Sequence, residues 1–365
     1  MLHPILALTS LSSLAGGASP AVHDSYATLE RELQAALSAP SSGLNVRALL
    51  RTRGAYSGDV DASAAAGEQD LGGFSLDVAR IEFAAKQGAY GLHVSLEAGA
   101  VASDDTFSGP GVVLLDGYGS YDLCEGAAVR IGQFCSRFLW SSCIDERDLV
   151  FLDRSFVGES MDGRDTGVEF FGDADRLNWW LGAQNGFDGL ADELAISARA
   201  SWRVLGDTLC CQEGALGIPH DAWLVGVGWF DDQSMDDGTI VGVDTYFARG
   251  GWSASAELAD YGDDMTPMVG VSTTTGVLAP GMGGIGGAEM PWSVTVGYLF
   301  EGTPWQVAAR WQDLDDMDDT SIATFGLNYH VGTGPTRWTL QLDHGSSDAT
   351  ALEVDALAFG LTVGV

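Results

Sequence analysis

The C-terminal part of the chain alternates between apolar and polar positions with a period of two. Trp292, Val294, Val296, Tyr298 and Phe300 interleave with Ser293, Thr295, Gly297 and Glu301. Trp305, Val307, Ala309 and Trp311 interleave with Gln306, Ala308, Arg310 and Gln312. Phe325, Leu327, Tyr329 and Val331 do so with Thr324, Gly326, Asn328 and His330, and Trp338, Leu340 and Leu342 with Arg337, Thr339, Gln341 and Asp343. Alternate side chains of a strand point to opposite faces. One face here is aliphatic and aromatic, the other small, polar or charged. A closed barrel with lipid outside and water inside carries this signature. From Leu44 onward the pattern predicts sixteen strands of about ten residues each, the length a tilted membrane strand needs. They begin near residues 44, 72, 89, 111, 126, 164, 175, 193, 222, 239, 251, 291, 304, 321, 336 and 352.

The connections alternate in length. Gln87-Gly88, Glu125-Gly126, Asp173-Ala174, Arg249-Gly250 and Gly302-Thr303 are tight hairpin turns, and 57–71, 137–163 and 262–290 are long. With a periplasmic N-terminus, the tight turns fall on the periplasmic side and the longest loops outside. An even strand number returns the C-terminus to the periplasm. The connection 205–221 breaks the rule, being long where a tight turn is expected. In the last strand Leu357, Phe359, Leu361, Val363 and Val365 share a face; the chain ends in Val365, where such barrels usually end in an aromatic residue.

The predicted fold class is therefore all-β: a transmembrane antiparallel β-barrel of about sixteen strands, with a short N-terminal periplasmic helix. Residues 1–20 read as a signal peptide without a basic start. Residues 21–43 read as a periplasmic helical arm, with Leu29, Leu33 and Leu37 spaced by four over Tyr26–Ser38. Residues 44–365 form the barrel, with an inward loop at 137–163.

Composition sharpens this picture. No run of eighteen apolar residues exists, so no helix spans a membrane; a closed barrel spans without one. Eleven Trp and nine Tyr suit aromatic girdles at the membrane interfaces. The formal net charge is −34, and Lys86 is the only lysine. That balance argues against nucleic acid, which is bound by neutralising phosphates. It fits divalent-cation bridging at a lipopolysaccharide surface, attraction of cations, or a salty habitat. Acidic loop clusters at Asp231-Asp232, Asp236-Asp237, Asp263-Asp264 and 313–319 lack the spacing of a calcium loop, so no metal site is assigned and no cofactor is expected.

The inward face carries the candidate chemistry. Arg47, Arg51 and Arg53 share it in the first strand, Arg199 and Arg203 in the eighth, and Arg130, Arg310 and Arg337 elsewhere. Glu97, Asp244, Glu257 and Asp343 face the same way. Two readings stand. Guanidinium groups in a watery channel offer anions a series of shallow sites; alternatively, arginines and carboxylates pair across the lumen and keep it wet.

The densest stretch runs from 130 to 172. Gly132-Gln133-Phe134, then Phe151, Asp153, Arg154 and Ser155, then Gly163-Arg164-Asp165 and Gly167 resemble the motifs of the phosphate-selective porin O and P family. Leu177-Asn178-Trp179 and Asn185-Gly186 resemble that family's next strand. The resemblance implies a sixteen-stranded, trimeric outer-membrane porin whose third loop folds inward as a constriction. It implies anion-handling roles for Arg137, Arg147, Arg154 and Arg164, and loop-pinning roles for Phe151, Asp153, Ser155 and Asp165. The family uses lysine clusters for phosphate, whereas this loop carries Asp145, Glu146, Asp148, Asp153, Glu159 and Asp162. Passive diffusion of small hydrophilic solutes is the expected function, with phosphate-like anions or, alternatively, cations preferred. A barrel hydrolase is the rival of another class; no Gly-x-Ser-x-Gly or His-Glu-x-x-His pattern supports it. Of five cysteines, Cys135 and Cys143 flank the third loop and are placed to staple it, while Cys124, Cys210 and Cys211 share the opposite side.

Overall fold

The computed structural model describes residues 43–60, 69–99, 111–186, 193–206, 212–218, 221–271, 278–280, 286–316, 319–347 and 352–365. The proposed signal peptide, the helical arm, Cys210 and Cys211 lie outside the described residues. Eleven strands come first: β1 (Asn45–Val60), β2 (Gln69–Gln87), β3 (Tyr90–Gly99), β4 (Gly111–Cys124), β5 (Ala127–Cys135), β6 (Arg164–Ala174), β7 (Leu177–Gln184), β8 (Ala195–Leu205), β9 (Ala222–Asp232), β10 (Thr239–Arg249) and β11 (Trp252–Tyr261). Three short strands follow, β12 (Met268–Val271), β13 (Leu278–Pro280) and β14 (Gly286–Gly287). The chain ends with β15 (Trp292–Leu299), β16 (Trp305–Asp313), β17 (Ser321–His330), β18 (Arg337–Ser347) and β19 (Leu352–Gly364).

Sixteen of these strands close into one barrel, each antiparallel to its neighbours, with β11 beside β15 and β19 returning to β1. Closure leaves no strand edge unpaired, the condition for a sheet in hydrocarbon. The seam is complete to the last residue: Ala48 and Val365 exchange both backbone hydrogen bonds at 3.0 Å. A C-terminal valine thus closes the ladder as any residue would, because the pairing uses backbone only. The three short strands form a separate small sheet within the long connection after β11. The sequence reading missed them, since this Gly- and Thr-rich stretch has no alternation to betray strands of four residues or fewer.

The alternation has the predicted physical meaning. On β17, Phe325 is 57 % exposed and its neighbour Thr324 is 2 % exposed. Outward rows such as Trp223, Val225, Val227 and Trp229 are open to the membrane. Aromatic pairs gather near the tight turns: Tyr90 with Tyr121, Trp252 with Tyr298 and Trp305 with Tyr329, at 4.9, 4.7 and 4.9 Å between ring centres. Amphipathic rings settle at the headgroup level and fix the barrel's height in the bilayer.

Many polar inward residues, such as Thr324, Gln341 and Arg310, are as buried as core leucines, because a loop occupies much of the lumen. The β5–β6 connection, residues 136–163, runs through the barrel. Phe138, Leu139 and Val157 pack on Phe230, Ile240, Ala259 and Tyr261 of β9–β11. Phe151 and Val150 pack on Ala308 of β16. Wall glycines permit this approach: a Cβ at Gly242 would lie 2.7 Å from Leu139, and one at Gly326 2.9 Å from the Phe151 ring.

Phe325→Arg sets a charge on the lipid face in mid-strand. It should cost about 2–4 kcal/mol if Phe325 sits near the bilayer midplane. Urea unfolding in lipid vesicles checks this; an unchanged midpoint would show that this face does not meet hydrocarbon.

Candidate functional site: a charged passage beside the inward loop

A cavity of about 150 Å³ lies between the inward loop and the wall formed by β1–β6. Its arginines are Arg47, Arg80, Arg130, Arg137 and Arg164, and its acids Glu82, Asp116, Asp145 and Glu146. A wider space of about 540 Å³, bordered by Ala128, Phe171, Asn178 and Trp180, lies nearer the tight turns. Arg130, in the first cavity, has its guanidinium 4.1 Å from the centre of the Phe134 ring and 6.0 Å from that of Phe171, which borders the second. Aromatic faces hold a cation in place without neutralising it.

Each strand supplies its charge by parity. Arg80 and Glu82 share the inward face of β2 with the buried Val78. The sequence reading overlooked both, although their two-residue spacing from Val78 is the same signal used for β1. Arg80 crosses the lumen: it meets Glu97 on β3 at 2.6 Å and Glu146 on the loop at 2.7 Å. Arg47 pairs with Glu82 at 2.6 Å, and Arg130 with Glu169 on β6 at 2.7 Å. Arg164 donates to the Asp162 carbonyl at 2.7 Å and lies 3.9 Å from Asp116. Arg137 stands 5.6 Å from the centre of the Trp180 ring. Glu146 is held well below the usual carboxylate range: burial raises it, but Arg80 and Arg154 together outweigh that cost.

Other predicted arginines lie away from this cavity. Arg53 grips Asp153 with two bonds of 2.9 and 2.6 Å and reaches Asp77 at 2.8 Å. Arg51 lies buried beside it, 3.8 Å from Asp77. Arg199 clasps Asp244 at 2.5 and 2.9 Å and donates to the Phe138 carbonyl at 2.6 Å. Arg147 meets Glu82 at 2.5 Å and Asp145 at 3.0 Å. Arg154 bonds the carbonyls of Ser141 and Ile144 within its own loop. Arg203 bonds the Asp175 carbonyl at the tight-turn end. Among the loop residues, Phe151 is fully buried with Arg310 4.4 Å above its ring. Ser155 caps the short helix Phe156–Ser160 and donates to Glu257. Asp165 accepts from the Gly186 amide at 2.7 Å.

The wall also satisfies the loop's backbone. Gln341 accepts from the Leu152 amide at 2.7 Å and Gln312 from that of Phe156 at 2.7 Å. Asn328 donates to the Val150 carbonyl at 2.8 Å, and Gln184 donates to the Phe134 carbonyl of β5, just before the loop, at 3.0 Å. The connection 205–221 explains its length here. Residues 212–218 fold up from the tight-turn end and meet the loop from below. Glu213 accepts from the Val150 amide at 2.8 Å and from Arg310 at 2.7 Å, and Tyr246 donates to the Gly214 carbonyl at 2.8 Å.

This is a porin-type barrel. It is similar to the outer-membrane channel DcaP of Acinetobacter baumannii, at 12 % identity over 89 % of this chain and 99 % of that one, with a TM-score of 0.55. It is similar to an anion-selective porin from Comamonas acidovorans, at 12 % identity over 88 % of this chain and 99 % of that one, TM-score 0.60. A variant of the Rh. blastica porin matches at 12 % identity over 88 % of this chain and all of the other, TM-score 0.53. At these identities the likeness is one of fold. A scan against protein-family models gives no match, and neither does a search of curated proteins.

One further sequence expectation meets the structure here. Cys135 and Cys143, placed to form a staple, are free thiols bordering the same cavity; the Cys135 thiol faces the Ser136, Ser142 and Met161 carbonyls instead. His93 stacks on Tyr118 at 5.1 Å, His330 bonds Gln306 at 2.9 Å and His344 bonds Asp355 at 2.8 Å.

The Arg199–Asp244 pair is buried on both sides, so removing one partner leaves an uncompensated charge worth about 3–5 kcal/mol. Asp244→Asn should loosen the loop near Phe138 and Trp140 and raise the open-channel current noise in planar bilayers. Noise equal to that of the native protein would show that this clasp does not hold the loop.

Proposed function

We propose that the protein is an outer-membrane porin through which small hydrophilic solutes diffuse passively along the charged cavity beside the inward loop. The observation that carries this reading is the cavity itself. It is lined by five arginines and four acids, and it lies between the barrel wall and a loop bonded to that wall at several points. No bond is made or broken, and no cofactor takes part. Loop and wall set the size limit. Charge discrimination comes from Arg47, Arg80, Arg130, Arg137 and Arg164 against Glu82, Asp116, Asp145 and Glu146. Arg53, Arg147, Arg154 and Arg199 act on the pore through the loop they hold.

Phosphate selectivity, the narrower form implied by the resemblance, has less support. Arg47, Arg80, Arg130 and Arg164 each have a carboxylate within 4 Å, so an entering anion competes with a resident one. That pairing favours weak selectivity. The loop acids make cation preference the second reading, and pH separates the two. Burial and Asp145 push the Asp148 carboxyl up to about 6. It is anionic above this value and neutral below it. Lowering the pH from 8 to 5 therefore removes negative charge from the loop and should move the reversal potential in a KCl gradient towards anions. Arg164→Gln should move it towards cations, and Asp145→Asn towards anions. A protein that gives no conductance steps in planar bilayers is not a porin; conductance with reversal potentials untouched by all three changes would place the current elsewhere.

A further inference from the structure

A second chamber lies at the tight-turn end and shares no lining residue with the passage. Its volume is about 160 Å³. Gln212, Gly214, Leu216 and Gly217 of the segment folded up from the 205–221 connection form one side; Gln306, His330 and Arg337 of the barrel wall form the other. These three wall residues sit on adjacent strands, with His330 directly opposite Arg337 in the β17–β18 ladder.

The donors in this chamber are unsatisfied. Arg337 is 2 % exposed and uses Nη1 on the Arg147 carbonyl at 2.7 Å. Its Nε and Nη2 have no partner among the described residues, and neither does Gln306 Nε2, whose amide oxygen accepts from His330. Gln306 and His330 are also more than nine-tenths buried. A buried donor without a partner costs about 1–3 kcal/mol, and more when charged, so several round one chamber call for a shared acceptor. Nε and Nη2 form one edge of the guanidinium, the fork that matches two oxygens of a carboxylate or phosphate. Arg147, the other cation at the chamber, is already engaged by Glu82 and Asp145. No carboxylate lies within 4 Å of Arg337 among the described ion pairs.

We propose that this chamber binds a small oxyanion, a carboxylate or a phosphate, through the Nε–Nη2 edge of Arg337, with the Gln306 side-chain amide as a further donor. The chemistry is shared by organic acids and inorganic phosphate, and 160 Å³ admits either. Asp148 is the one acid bordering the chamber among the described residues. It opposes the anion while charged and withdraws that opposition in mildly acidic solution, where its raised carboxyl takes up a proton. Binding here does not depend on conduction through the passage, so the two readings fail separately.

Calorimetric titration of the folded full-length protein in detergent, at pH 6, with acetate and separately with inorganic phosphate, tests the site. Saturable binding of at least one is expected, and the tighter of the two names the source. Arg337→Lys keeps the charge and loses the fork, and should weaken binding by about tenfold or more. Asp148→Ala should tighten it, and decides the matter should Arg337→Lys fail to form a barrel. Arg164→Gln, in the passage, should leave it unchanged. No saturable heat with either anion overturns the proposal; so does binding that is lost in Arg164→Gln, or that Asp148→Ala does not tighten.

Discussion

A loop inside a barrel must find a partner for every backbone amide and carbonyl it carries, and the rest of this structure follows from how that is done. Residues 136–163 contain only one short helix and two single turns, so most of their polar backbone has no partner within the loop. Buried unpaired groups of this kind are costly. The wall supplies what regular structure does not: Gln312, Asn328 and Gln341 bond loop backbone groups directly. Arg199, Arg310 and Arg337 donate to loop carbonyls as well. Where the loop lies against it, the inward face is polar because it must bond a peptide chain.

That constraint separates two roles for arginine. A guanidinium that donates to a loop carbonyl and clasps a wall acid, as Arg199 does with Phe138 and Asp244, is mechanical. A guanidinium facing the cavity, as Arg47 and Arg130 do, shapes the field along it. Both kinds alternate along strands with the same period, and both are flanked by the same residue types. Their division depends on which side of the barrel the loop leans against. Here Phe138, Leu139 and Val157 draw it towards β9–β11, and the space is left along β1–β6.

The segment 212–218 is a second consequence. A loop pressed against the wall from one end leaves its underside open at the other. Glu213 closes part of that gap, joining the loop amide of Val150 to Arg310. The sequence showed the anomaly as a long connection where a tight turn belonged. It held no clue that the chain turns upward, because Gly214 and Glu213 become informative only once Val150 and Arg310 stand beside them.

Strand positions were legible from the residues themselves. Every predicted barrel strand begins within three residues of the observed one, since a two-residue period with lipid on one side leaves a single permissible register. Inward acids such as Glu97, Asp244, Glu257 and Asp343 were legible for the same reason. Pairing was not: Arg53 meets Asp153 across 100 residues of chain, and Arg80 meets Glu146 across 66. Alternation fixes which face a side chain takes, because that is a property of each strand alone. Which charges stay open to solute, and which are spent holding the loop, was decided only when the strands closed into a ring and the loop chose a side, because that depends on distances between segments far apart in the chain.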